Sequence, residues 1–370
     1  MLRSHLVVVG LAASVTLALS LAACGGAENE GKGGSAAEDK EGLPPPPGPT
    51  GHPGDGSGVV LAIKKLYLGD TDRQGAKSAT AWKNFGFNLD GKVSTPDSTD
   101  LCKPRAGGKV SSVYPDGNHG IDNSFGKNIL PIITGVAADA STSVNQGIAD
   151  GSFTIMLDID KLGAGTDYNP LTTKLYGGAK LGHAPAFNGT DKWPVLPELL
   201  NDPKDIASSK VIFAGSYLTK NTWVSGSKSE IGLTLSVAGF SLTLTIGSAL
   251  VAMDLDEAHK SAKNGVIAGV IDTETFITEL KKVAGAFSKD LCTGSTIESI
   301  ANQLRQASDI MKDGSAGSPT KECDGISIGL GFDMGEVQLG PIADPAKPQD
   351  DPCAGTGGGS TTGSGGAGGG

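Results

Sequence analysis

Aromatic side chains are scarce in this 370-residue sequence, at 5 %, and charged ones are few, at 19 %. Three tryptophans, five tyrosines and ten phenylalanines are needed for a core and leave little for a broad stacking surface. Basic excess is also lacking: 30 lysines and arginines face 40 aspartates and glutamates, for a net charge of −10. That balance argues against a nucleic-acid-binding face and against a polybasic membrane surface. Histidine is sparse, with five residues. None of His5, His52, His119, His183 and His259 falls in H-E-x-x-H or four residues from another, so zinc catalysis has no support. C-x-x-C and G-x-S-x-G are absent, and Gly226-Ser227-Lys228-Ser229 lacks the upstream glycine of a phosphate-binding loop.

The one long apolar run lies at the start. Arg3 gives a positive first region, Leu6 to Leu21 is diluted only by Ser14, Thr16 and Ser20 among its polar residues, and Ala22-Ala23 precede Cys24. These are the three parts of an export signal. The run is about 16 residues long, short of the roughly 20 of a comfortable membrane-spanning helix. Leu21-Ala22-Ala23-Cys24 resembles the lipobox of bacterial lipoproteins. The resemblance implies cleavage before Cys24, diacylation of its sulfur and anchoring of the chain to the cell envelope. Gly25 stands where an aspartate retains many such lipoproteins in the inner membrane, which favours the outer membrane, on its periplasmic or surface face.

Four regions follow from composition. Residues 1–23 are the signal peptide. Residues 24–58 hold six acids, two lysines and the run Pro44-Pro45-Pro46-Pro47; so little apolar surface predicts a disordered stalk. Residues 59–340 form a single β-rich globular domain, and residues 341–370, proline-rich and then almost pure Gly/Ser/Thr, a disordered tail. Glycine reaches 56 residues, about double the usual share, largely because of these ends. With Cys24 set aside, Cys102, Cys292, Cys323 and Cys353 make an even set for an oxidising compartment. Three pairings are possible. Cys292 and Cys323 bracket one helix, which favours Cys292–Cys323 with Cys102–Cys353.

Within the domain, strands dominate. Val59 to Leu68 reads as a strand, as does Trp82 to Leu89 by the period-two spacing of Phe85, Phe87 and Leu89. Asp90 to Gly120 is a polar excursion, long enough to require function or ordering by a disulfide or ion. Ile121 to Ala149 is helical in part, interrupted at Pro131 and Gly135. Strands follow at 152–159, 171–181 and 210–218, with a proline-bounded loop at 185–203. Apolar residues at 231, 233, 235 and 237, then 242, 244 and 246, alternate with small and polar ones, predicting a hairpin; 266–271 is a further strand. Phe276, Ile277, Leu280, Val283, Ala284 and Phe287 space as one helix capped by Asp272 or Thr273. Ser295-Thr296-Ile297-Glu298 starts a second helix running to Gly314. Ile326, Ile328, Leu330 and Phe332 close the chain as a strand. No alternating βα rhythm is present. The expected fold is mainly β: an antiparallel β-sandwich of jelly-roll type with a helical insert and a C-terminal helix pair. The strings FGFNLDG at 85–91, GIDNSFG at 120–126 and CDGISIGLGF at 323–332 resemble uncharacterised Gly/Pro-rich exported lipoproteins of Gram-negative bacteria, which implies a single module and no assigned activity.

Candidate chemistry is thin. Asp116, Asn118 and Asp122 occupy positions 1, 3 and 7 of a calcium-loop spacing, although Gly120, Ile121 and Lys127 stand where a further ligand, a glycine and the closing acid belong. Turn and cap chemistry explains the same residues. Ser225-Gly226-Ser227-Lys228 is an S-x-x-K without its companion motifs. Asp254, Asp256 and Glu257 cluster as paired carboxylates of glycoside hydrolysis do, or as a solvated strand end. Trp82, Trp193, Trp223 and Tyr217 could stack on sugars or fill the core. The reading that results is a non-enzymatic, lipid-anchored envelope module that binds or scaffolds envelope components; the alternative is a carbohydrate-binding or carbohydrate-active β-sandwich.

Overall fold

The computed structural model describes residues 42–345, other than 137, 238, 239 and 293, together with 352 and 353. The strands are β1 (Val59–Tyr67), β2 (Thr154–Asp160), β3 (Tyr168–Gly178), β4 (Asn188–Val195) and β5 (Val211–Thr219). After them come β6 (Thr222–Val224), β7 (Ser229–Val237), β8 (Phe240–Leu255), β9 (Ser261–Asp272) and β10 (Gly325–Ile342). The helices are α1 (Val110–Val113), α2 (Leu130–Val136), α3 (Ala140–Ala149), α4 (Thr273–Phe287) and α5 (Ser295–Gln306). Strand exceeds helix, 35 % against 22 %, so the chain is mainly β with the helical insert and helix pair where the sequence places them.

The sandwich is joined at both edges. Antiparallel pairings run β10–β1, β1–β2, β2–β3, β3–β5, β5–β6, β6–β8, β8–β9 and back to β10. Neighbours in this ring are nearly sequential in the chain, and closing a ring removes exposed strand edges. β7 pairs only with β8 among the described residues. β4 lies outside the ring, parallel to the last part of β10, where Glu336 sits between Leu61 of β1 and Asn188 of β4.

Period-two alternation divides the side chains between an inner core and two outer clusters. Leu61, Leu157, Leu175, Val251, Ile267, Ile328 and Leu330 belong to the inner core, joined by Phe125, Ile129, Ile148, Phe276 and Leu304 from the helical segments. Their neighbours face outward and are covered. Ala62, Met156 and Tyr176 lie under Trp193 and Val195 of β4. Ala252, Val266 and Ala268 cluster with Phe87 and Leu89.

That second cover corrects the expected strand at Trp82–Leu89. Residues 81–84 form a 3-10 turn, and Gly86 takes a φ of +138°, a left-handed geometry that stops an extended run. Phe85, Phe87 and Leu89 alternate because they pack on the ring, without pairing as a strand. Similarly, the loop expected at 185–203 contains β4, and α5 ends at Gln306, well before Gly314. Beyond α5, the Ile310 and Gly325 backbones bridge, which turns the chain back into β10. Asp272 does cap α4, accepting from the Thr275 amide at 2.9 Å.

Two further expectations change. Residues 42–58, read as part of a disordered stalk, lie along the body. The Pro45 carbonyl accepts from the Tyr217 hydroxyl at 2.6 Å, the His52 carbonyl from the Asn169 amide at 2.9 Å, and Asp55 from the Tyr168 hydroxyl at 2.8 Å. The segment needs no apolar core of its own, because the 161–169 loop and two tyrosines supply its hydrogen bonds. Residues 24–41, and most of the tail, lie outside the described residues, although Pro341 and Ile342 end β10. The disulfides are Cys102–Cys323 and Cys292–Cys353, not the pairing expected. The backbone explains the exchange: the Lys103 amide donates to the Lys321 carbonyl and the Cys323 amide to the Lys103 carbonyl. The Cα atoms of Cys102 and Cys323 are thereby held 5.1 Å apart.

One residue fastens the cover to the ring. β1 leaves β10 at the Tyr67–Gly331 pair, and the next open rung is Gly329. There Asn123, 2 % exposed, accepts from the Gly329 amide at 3.0 Å and donates to its carbonyl at 3.0 Å. The same amide group reaches the carbonyls of Trp82 and Phe85 and accepts from the Gly126 amide. Glycine at 329 is required by space: a Cβ there would collide with the Phe85 carbonyl. We expect Asn123→Ala to cost roughly 3 kcal/mol in urea unfolding, because it orphans several buried backbone groups. Gly329→Ala should cost about 1–3 kcal/mol. Asn118→Ala, at an exposed position, should stay within about 0.5 kcal/mol.

Candidate functional site

The polar excursion turns its carboxylates onto loop amides, and Asp309 adds one at the β10 edge. Asp122, 4 % exposed, accepts from the amides of Leu89 at 2.7 Å and Asp90 at 3.4 Å. Asp116 accepts from the Ser94 amide, and Asp90 from the Lys92 amide at 2.8 Å. Asp309, on the segment after α5, accepts from the Ser327 amide at 2.8 Å and from the Ser327 hydroxyl. It therefore occupies the β10 rung after the one that Asn123 fills.

These four acids sense one another. Burial pushes Asp116 up to about 7, with the charges of Asp90 and Asp309 adding to the effect. Burial also pushes Asp309 to about 7, with Asp90 contributing. Asp122 is raised well above the carboxylate range by burial and then by Asp90, Asp116 and Asp309. Asp90 is raised by burial, against the pull of Lys92 and Lys228. Like charges in one poorly solvated site cannot all ionise at ordinary cost. Two amines border the group, Lys127 donating to the Pro115 carbonyl at 2.8 Å and Lys228 to the Leu89 carbonyl at 3.1 Å.

The calcium-spaced residues serve separate tasks. Asp116 pins residue 94, Asp122 pins residues 89–90, and Asn118 donates to Asn84 at 2.7 Å. Among the described residues, no group of three or more His, Cys, Asp or Glu side chains is arranged to hold a metal ion. What the acids do chemically is hold loop amides and protons.

Other candidates also occupy structural positions. Ser225, 1 % exposed, pairs through its hydroxyl with the Val251 amide, while Lys228 bonds elsewhere, so S-x-x-K forms no acylating pair. Asp254 binds Thr222 and Asn264, and Asp256 closes the turn to Lys260 and Ser261. Glu257 is exposed. His259, 5 % exposed, binds the Gly163 carbonyl and Asn221. Trp82, Trp193, Trp223 and Tyr217 are all buried. Trp193 donates to the Ala179 carbonyl and Trp223 to Thr173, so none of the four offers a stacking face. Cys24 lies outside the described residues.

Asp90 and Asp309 were not legible as site residues, since they stand 219 positions apart and meet only through tertiary pairing. No protein-family model, curated protein or solved structure matches the chain.

The raised values give a pH dependence with a definite sign. In the folded state these carboxylates hold protons that the unfolded chain releases near pH 4. Stability therefore falls as pH rises from about 4 to about 7. The unfolding free energy, measured by urea titration, should decrease between pH 5 and pH 8. Asp309→Asn should flatten that slope and be the more stable protein at pH 8, since an amide keeps a partner for Ser327 without the charge.

Proposed function

We propose that the chain is a lipid-anchored protein of the cell envelope, acylated at Cys24, whose β-rich body binds or scaffolds an envelope component without catalysing a reaction. The observation that carries this reading is the pair of disulfides, joining residues 221 and 61 positions apart. Such bridges persist in oxidising compartments, in agreement with the export leader and the cysteine left for acylation. Outer-membrane placement rests on Gly25 alone.

The packing supports binding at the outer surface. The ring interior is occupied by aliphatic and aromatic side chains, as expected for eight strands, so a partner is met outside it. Among the described residues no helix is long and apolar enough to cross a membrane; in this reading the acyl chains on Cys24 make the attachment. Docking of residues 42–58 also shortens the tether. Only residues 24–41 separate the anchor from the body, and even fully extended they span at most about 60 Å. The carbohydrate alternative loses the aromatic platform on which it leaned, because those residues are buried.

Fractionation of cells expressing the full chain tests the anchor. The protein should sediment with membranes and incorporate labelled palmitate, and Cys24→Ala should abolish both. A Cys24→Ala chain that stays membrane-bound and labelled contradicts the proposal.

A further inference from the structure

The two disulfides sit in opposite surroundings. Cys102 and Cys323 are both 0 % exposed. Backbone pairing seals them: the Cys102 amide donates to the Ala316 carbonyl at 2.6 Å, and the Cys323 amide to the Lys103 carbonyl at 2.9 Å. The Tyr114 hydroxyl donates to the Cys102 carbonyl and the Arg105 side chain to the Cys323 carbonyl. An external thiol reaches that bridge only when the cover leaves β10. Cys292 and Cys353, in contrast, are both half-buried. One flank of their bridge lies on α4, where a Cβ on Gly285 would come within 2.5 Å of the Cys292 sulfur and 2.6 Å of the Cys353 sulfur. Beside it Lys289, Gly294, Ser295 and Thr296 are exposed, so the bridge stands at the surface of the helix pair.

The fold does not depend on this second bridge. β10 ends at Ile342, and the Ala343 amide closes on the Val195 carbonyl at 2.8 Å. The sheet is therefore complete before the chain reaches Cys353. Packing also holds α4 to α5: Ala284, Leu291 and Ile297 form an apolar cluster, and Glu274 accepts two bonds of 2.8 Å from Arg305. Pro352 and Cys353 meet the body at Gly285, Lys289 and Cys292. Opening the bridge parts residues 352 and 353 from the helix pair and leaves the ring closed. Opening Cys102–Cys323 would instead unlock the cover that finishes β10.

We propose that Cys292–Cys353 is a thiol-exchange site, opened in the folded protein by a dithiol reductant, while Cys102–Cys323 is a permanent staple. Accessible bridges are the ones that exchange. One thiolate of the dithiol attacks the Cys353 sulfur, so that a new S–S bond forms, the Cys292–Cys353 bond breaks, and the electron pair leaves on the Cys292 sulfur. The Lys289 ammonium donates to the Pro352 carbonyl, and the Cys292 sulfur lies 3.9 Å from that same oxygen. A cation thus stands beside the leaving thiolate and stabilises it. The second thiolate of the reductant then attacks the reductant's own sulfur in the mixed disulfide and expels Cys353. The two cysteines take up the two protons that the dithiol gave up; the protein gains two electrons, and the dithiol becomes a disulfide. This chemistry does not depend on the anchor at Cys24.

Graded reduction of the folded full chain tests it. The protein is treated with millimolar dithiothreitol, trapped with iodoacetamide and cut with an aspartate-specific protease, which puts Cys102, Cys292, Cys323 and Cys353 on separate peptides. Cys292 and Cys353 should be alkylated together, at a rate proportional to dithiothreitol, with the far-ultraviolet circular dichroism unchanged. Cys102 and Cys323 should react at least about a hundredfold more slowly, since the unfolded state they require has a population of about 10⁻³ or less. The double variant Cys292→Ser, Cys353→Ser should fold with the same circular dichroism and keep Cys102–Cys323 closed. Alkylation of all four cysteines at one rate, or of Cys102 and Cys323 first, overturns the proposal. So does loss of circular dichroism in step with Cys292 alkylation, a double variant that does not fold, or a Cys292–Cys353 bridge that resists dithiothreitol until urea unfolds the chain.

Discussion

The interaction on which the rest of this structure depends is the side-chain amide of Asn123 on Gly329. β10 is the longest strand, and β1 covers only part of one of its edges. Beyond Gly331, among the described residues, no strand pairs with the backbone groups of that edge. Asn123 presents a donor and an acceptor in nearly the arrangement of a peptide group, so the ladder continues through a side chain. Asp309 does the same for the amide at Ser327. Two loop residues thus finish a sheet edge and, in doing so, bind the excursion to the ring.

The remaining devices reinforce this fastening. The Cys102–Cys323 bridge ties the middle of the excursion to the entry of β10 across 221 positions. By loop-closure entropy, bridges over long loops stabilise by about 2–5 kcal/mol. Glycines at 329 and 331 clear room for Phe85, which stacks on Tyr67 at 5.8 Å. The buried acids pin the loop amides of residues 89, 90 and 94. Their raised proton affinities are the consequence of covering a sheet with polar chain instead of another sheet.

Local patterns revealed the strands that use one face in the core. β2 and β10 alternate cleanly because each presents every second residue to the ring interior, whereas β1 and β8 slip by one residue at a bulge. β4 escaped notice because it is bounded by prolines and pairs in parallel with a strand well over a hundred residues later. Phe85, Phe87 and Leu89 imitate a strand because the surface they cover has the same repeat as the strands beneath it. The docked segment 42–58 has no signature of its own, since its partners are hydroxyls and carbonyls elsewhere in the chain. The acids of the excursion were visible one by one, as turn formers at Asp116 and Asp122. Their grouping with Asp90 and Asp309 is a product of tertiary pairing and could not be read from spacing.

A filled ring and a loop cover locked by a disulfide describe one cooperative body. Its central claim is that residues 85–126 are part of the ring's cooperative unit and not a loop laid over it. Native-state hydrogen exchange resolves this most directly. The account predicts that the amides of Leu89, Asp122, Gly126 and Gly329 exchange only through global unfolding, with the same free energy and the same denaturant dependence as the β9–β10 core. Exchange of the first three by a separate low-energy opening, while β10 stays protected, would contradict it.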